Sequence, residues 1–264
     1  MGRIFRTVVR DFLGLARVCG LGVALRWLMQ IALHARTCIR TRTLQSADRG
    51  MGSGPFYPKL RGARAKIEDP YAISSIREVW VRDVYTNGGY IEIAPGGVVP
   101  DLGANRGFFT ALALGTHPDT RCVCVEPRVS DCERIRHLLE INDGWENRCD
   151  ICSAFIGGET QFQRDMVATE SGIQNEYLSE DEFIRRFNLS KINLIKCDIE
   201  GSEFELFRPG SKLLAMAQQV AMEVHAPAGR QRDDFINLVR NEGFDVVTKK
   251  DDAQGCIING RRKR

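Results

Sequence analysis

The sequence has no run of about 20 apolar residues, the length a helix needs to span a bilayer. In the arginine-dotted N-terminal stretch the longest uncharged segment, Trp27 to Ala35, holds nine residues. Arginine breaks each apolar run there and no small-residue cleavage site stands out, so a secretory signal is not expected. Position 6 is Arg rather than Ser or Thr, which removes the myristoylation pattern at Gly2. A second C-x-x-C is also missing. Cys149 and Cys152 form a lone pair, whereas a zinc site wants four ligands, typically from two such pairs. The nine cysteines are odd in number and scattered, in a chain long enough to build a core without staples. They read as reduced thiols of a cytoplasmic protein. Net charge is only +3, and no nucleic-acid partner is expected.

That small net charge hides an asymmetry. Residues 1–66 carry 13 Lys/Arg against 2 acids, and the remainder is acidic by 8 charges. The reading is a basic helical arm and linker over 1–66, ahead of a catalytic domain over 67–264. Segments such as Leu25 to Leu33 have helical periodicity, and residues 46–66 are rich in Gly and Pro. Such an arm can make a peripheral membrane contact at the inner face, or simply pack. Oligomeric state is left open.

The chain also lacks the dinucleotide fingerprint G-x-G-x-x-G. In its place stands Asp101-Leu102-Gly103-Ala104-Asn105-Arg106-Gly107, with an apolar run before it and a helical pattern after it. Glycine permits φ > 0 or a close backbone approach, and the following helix aims N–H groups back at the loop. Asp101 would repel pyrophosphate but attract an ammonium or sulfonium, the two cations of S-adenosyl-L-methionine. Glu126 ends the next strand, where an acid accepts from ribose hydroxyls. Asp101, Gly103, Asn105, Gly107 and Glu126 are therefore the cofactor-binding candidates. Ser153 and Ala154, at the third strand, are candidates for the adenine side.

These residues, with Lys196-Cys197-Asp198-Ile199-Glu200-Gly201-Ser202-Glu203 and Met222-Glu223-Val224-His225, resemble the FkbM family of S-adenosylmethionine-dependent methyltransferases. The likeness covers roughly Ile73 to Ile258. It implies O-methylation of a hydroxyl on a sugar, glycan or secondary metabolite. Two rivals remain: an NAD(P)-dependent oxidoreductase, and a non-catalytic cofactor-binding scaffold at a membrane or glycan-assembly complex.

Strand–helix alternation predicts a doubly wound Rossmann-like sheet, mostly parallel, of seven strands with an antiparallel edge strand. Ligands bind such sheets beyond the carboxyl ends of the strands, where Asp101, Glu126, Asp198 and His225 all fall. His225, Asp198 and Glu200 are the catalytic candidates, with His225 nearest neutrality as a base. The same three can hold a divalent ion by oxygen and nitrogen ligands, but the expectation is of no metal. Lys196 either pairs with one of these acids or faces the back of the sheet.

Overall fold

A computed structural model describes residues 2–227, 229–251 and 255–263. The chain divides into two compact units, Met1–Asp83 and Val84–Arg264.

The N-terminal unit is helical. It holds α1 (Gly2–Cys19), α2 (Leu21–Leu33), α3 (Ala35–Thr41) and α4 (Gln45–Gly50). A two-stranded ribbon, β1 (Lys59–Leu60) with β2 (Ala63–Arg64), leads to α5 (Ala72–Ser75) and a π-helical turn, Ile76–Val81. The unit runs past the expected boundary at 66 because a buried ion cluster ties its ends together. Arg77, 5% exposed, donates to Asp11 Oδ2 (2.7 Å) and Asp48 Oδ2 (2.5 Å). Trp27 Nε1 donates to Asp48 Oδ1 at 2.8 Å, and the Arg77 guanidinium lies 4.8 Å from the Trp27 ring. No described helix is long and apolar enough to cross a membrane.

The C-terminal unit is built on seven strands in the order β10-β11-β9-β8-β3-β4-β5. These are β3 (Val98–Leu102), β4 (Arg121–Val125), β5 (Cys149–Cys152), β8 (Ile192–Cys197), β9 (Ala217–Val224), β10 (Phe244–Asp251) and β11 (Cys256–Arg262). β3, β4, β5, β8 and β9 pair in parallel. β11 runs antiparallel to both β9 and β10, so the antiparallel strand sits one place in from the edge rather than at it. β8 is buried along its whole length, as a central parallel strand covered on both faces requires. Pro100 cannot donate to a ladder. The β3–β8 register begins just after it, at Asp101↔Lys196.

The connecting helices include α6 (Phe108–Leu114), α7 (Val129–Glu140), α8 (Gln161–Thr169) and α9 (Glu180–Arg186). α10 (Glu203–Leu206), α11 (Lys212–Met216) and α12 (Arg232–Asn241) follow. A short parallel pair, β6 (Phe155–Ile156) and β7 (Tyr177–Leu178), flanks the main sheet. A capping box of Ser179 and Glu182 opens α9, and a second one, Thr160 with Gln163, opens α8. Residues 90–93 form no ladder. Arg261 and Arg262 belong to β11, with Arg262 donating to the Ala217 and Glu242 carbonyls.

Candidate active site

A cleft opens at the carboxyl ends of the parallel strands, where ligands of such sheets bind. Its lining includes Gly103, Asn105, Glu126, Ala154, Asp198 and Glu200. Apolar surface comes from Phe155, Ile156, Phe162 and Met166. Among the lining residues three are acids and one, Arg128, is basic.

Glu126 follows β4 directly and is 5% exposed. Its carboxylate accepts from the Asn105 N–H (2.9 Å) and the Arg128 N–H (3.0 Å). Burial pushes its carboxyl up to about 7, against the pull of those two donors. Each carboxylate oxygen has two lone pairs, so Glu126 retains acceptor capacity toward the cleft.

The loop after β3 behaves differently from expectation. Gly103 and Ala104 donate their N–H groups to Val125 O, Asn105 donates to Glu126, and Gly107 donates to Ala104 O. Three of these main-chain donors are thus taken up by the exit of β4 and one within the loop. Gly103 has φ +73°, and a Cβ there would meet Asp198 O at 1.8 Å. Its need is the passage of the β8 exit beside it. Gly107, at φ +77°, caps α6 without lining the cleft, and a Cβ there would press on Leu138 of α7 at 3.0 Å.

Asp101 is not a cofactor-facing acid. It is fully buried within β3, accepts from Thr110 Oγ1 at 2.6 Å, and pairs with Lys196 Nζ at 3.1 Å. Lys196 also donates to Gly103 O at 2.6 Å. Burial opposes the ammonium's charge, but Asp101 outweighs it and holds the lysine above its ordinary range. The charge assigned to the sulfonium is thus already compensated inside the sheet. Lys196 pairs with this acid, not with the Asp198 block. Ser153 stands beside the cleft without lining it, whereas Ala154 lines it.

Beyond β8 and β9 a second cluster forms. His225 Nδ1 lies 3.5 Å from Glu203 Oε1 and 3.9 Å from Asp198 Oδ1. Its Nε2 lies 3.8 Å from Glu200 Oε2 and 3.9 Å from Glu223 Oε1. Tyr85 Oη donates to Asp198 Oδ2 at 3.3 Å. The chain turns here through Glu200 and Gly201, both at positive φ (53° and 97°), which brings Asp198 and Glu200 toward one ring. Glu203 is fully buried, accepts from the Ile199 N–H through Oε1, and has no hydrogen-bond partner at Oε2. Its closeness raises the His225 imidazole to about 9, against the opposing effect of burial. Asp198 and Glu200 are the cleft-facing members of the cluster, and His225 stands behind them.

Nothing in the Lys196–Glu203 segment singles out Glu203 from its neighbouring acids. Gln163 donates to Ser202 Oγ at 2.6 Å and anchors α8 over the cleft. The T-x-x-Q capping signal at Thr160 marked that helix.

The description Methyltransferase FkbM domain matches residues 101–246, more than half of the chain. The chain belongs to the FkbM methyltransferase family. It is accordingly an S-adenosylmethionine-dependent methyltransferase on a Rossmann-like fold. The hexuronic acid methyltransferase AglP of Haloferax volcanii is 22% identical over 246 residues, covering 85% of this chain and 96% of AglP. The AMB antimetabolite synthetase AmbE of Pseudomonas aeruginosa is 26% identical over 232 residues, covering 66% of this chain. The chain spans only 11% of AmbE's length. Among solved structures, the FkbM methyltransferase of Methylobacillus flagellatus has a TM-score of 0.52 at 13% identity. The match covers 72% of this chain and 54% of that one, and it supports the fold alone.

The cleft fits the family's cofactor. Glu126 would supply acceptor lone pairs to ribose hydroxyls and Phe155 and Ile156 an apolar wall, and the excess of carboxylates suits a cationic rather than a pyrophosphate ligand.

Proposed function

We propose that this FkbM-family domain methylates a sugar hydroxyl. The carrying observation is that Glu126, Asp198 and Glu200 line one cleft at the strand ends. AglP's description as a hexuronic acid methyltransferase supports a sugar as acceptor.

S-adenosylmethionine, when bound, supplies an electrophilic methyl group. Glu126 holds the ribose. Asp198 orients the acceptor hydroxyl and receives its proton as the O–C bond forms and the S–C bond breaks. That bond's electron pair stays on sulfur, leaving a neutral thioether. Orientation of this kind contributes about 7–11 kcal/mol, and proton removal about 10²–10⁴-fold in rate. The side chains on α8, Phe162 above all at 49% exposed, offer a surface against which a sugar ring rests. Calorimetric titration with S-adenosylhomocysteine tests cofactor binding. Mass spectrometry of a panel of neutral and uronic acid glycosides, looking for one added methyl group, tests the acceptor. Absence of both signals removes the reading.

We also infer that the N-terminal unit lies on an anionic membrane surface. Phe5, Val9 and Leu13 recur at helical spacing on α1, and Leu21, Leu25 and Met29 on α2, all exposed, Phe5 to 69% and Leu13 to 61%. Among the described residues, the exposed large apolar side chains other than Phe162 all lie in this unit. The basic excess of residues 1–66 complements acidic lipid. Sedimentation with phosphatidylglycerol-containing vesicles is expected, with loss on Leu13→Glu plus Leu25→Glu and little binding to pure phosphatidylcholine. Equal binding to both vesicle types, or none to either, excludes it.

A further inference from the structure

We propose that Asp198, Glu200 and His225 form a site for a hard divalent cation that grips two neighbouring oxygens of the acceptor. The proposal rests on the methyltransferase reading for its acceptor, and on the cluster's own geometry for its cation.

One ligand atom from each of the three residues falls within 4.8 Å of the other two. Oxygen and nitrogen ligands of a hard divalent cation stand about 2.0–2.6 Å from it, so two of them lie at most about 4–5 Å apart. Two carboxylates and one imidazole suit an oxygen-preferring ion and leave coordination positions open. Those positions face the cleft, because Asp198 and Glu200 line it.

The independent observation is Glu203. It is fully buried behind the ring, with Oε1 at 3.5 Å from His225 Nδ1 and Oε2 without a partner. His225 Nδ1 is itself buried with no hydrogen bond formed. A carboxylate behind a histidine is the usual support of a metal-binding imidazole: it takes the N–H of one nitrogen and leaves the other's lone pair for the ion. With Glu203 at Nδ1, that free nitrogen is Nε2, on the side of Glu200. Glu223, 3.9 Å from the same nitrogen, adds a fourth carboxylate around one imidazole. The buried Lys196 acts on Asp198 and Glu200 as well, but its ion pair is with Asp101. A cation at the cluster would add the balancing charge.

A sugar presents vicinal hydroxyls, and two of them can occupy the open positions. One is then fixed for methyl transfer, and coordination lowers its pKa. Its proton leaves to Asp198 or to solvent, and the rest of the balance is unchanged.

The test uses the full chain freed of metal by chelator dialysis. Mn²⁺ is the probe, followed through loss of the free-ion electron paramagnetic resonance signal. One ion per chain is expected. Binding should weaken at least tenfold for Asp198→Asn or His225→Gln, and about 10–100-fold for Glu203→Gln, which acts through the ring. S-adenosylhomocysteine titration of the same samples reports fold and cofactor site separately. Failure of Mn²⁺ to bind, or equal binding by wild type and a variant carrying all three changes, overturns the cation site, while intact S-adenosylhomocysteine binding leaves the methyltransferase reading standing. Loss of the cofactor signal from the wild-type chain instead counts against the reading on which the acceptor rests.

Discussion

Two groups of acids stand at the carboxyl end of this sheet, and their fates differ. Asp101 is sealed within β3, and Lys196 and Thr110 satisfy it. Asp198 and Glu200, just past the end of β8, remain partly open to solvent, with His225 and the Tyr85 hydroxyl beside them. The distinction is one of position along a strand. A side chain in a central parallel strand is covered on both faces, so a charge there must be paired or it destabilises the fold. One residue beyond the strand the chain turns, and a charge can face a ligand. The closed pair therefore belongs to the sheet, and the open cluster is placed to face a ligand.

The largest effect expected from breaking this contrast is on the closed pair. Lys196→Met leaves Asp101 buried without a counter-charge, which costs about 3–5 kcal/mol. For a chain of this size that lowers the melting midpoint by roughly 6–20 °C, read by calorimetry. Adding Asp101→Leu should restore much of the loss, because a well-packed apolar pair often substitutes for a buried ion pair. A midpoint unmoved by Lys196→Met would show the pair to be dispensable.

Asp198→Asn should behave in the opposite manner. Turnover falls by about 10²–10⁴-fold, while stability changes by no more than about 0.5 kcal/mol, as for other substitutions away from the core. Single-turnover methyl transfer beside a thermal melt separates the two. A large melting shift without a rate effect would reverse the roles assigned here.

Much of this was legible in the sequence. The strand-loop-helix at Asp101 to Gly107, the acid after β4 and the block after β8 announced a cofactor cleft and a second set of acids beside it. What the sequence did not disclose was direction. Nothing in Val99-Pro100-Asp101 says that the acid points at a lysine of the neighbouring strand, because that pairing depends on the β3–β8 register. Gly103 was read as room for a ligand. Its deeper reason, the Asp198 carbonyl, lies almost a hundred residues away in the chain. Glu203 was hidden for the same cause: its partner His225 follows the next strand, and only the sheet order brings them together.

Gly103→Ala sharpens the comparison at the point where the two groups of acids meet. The added methyl would enter the space of Asp198 O, at a backbone with φ +73°. Strain of this kind costs about 1–3 kcal/mol. Relief by shifting the Asp198 turn should also lower turnover, whereas Gly107→Ala, pressing on α7, should lower stability with a smaller effect on rate. Melting curves and initial rates on both variants check this.

The smallest expected effect comes from Glu126, which shares features of both groups: buried like Asp101, yet facing the cleft like Asp198. Its carboxyl is raised to about 7 by burial, above the ordinary glutamate value of about 4.3. Between those values the folded cofactor-free chain holds a proton that the unfolded chain has released. This contribution to stability is present at low pH and is lost as pH rises through about 7. Ribose hydroxyls that donate to Glu126 favour the ionised form, so cofactor binding has the reverse slope. Affinity for S-adenosylhomocysteine should fall by up to about tenfold per unit as pH drops below about 7. Glu126→Gln should weaken binding and flatten its pH dependence together. Titrations at several pH values on both proteins decide the matter, and a slope that survives in Glu126→Gln would assign the proton to another group.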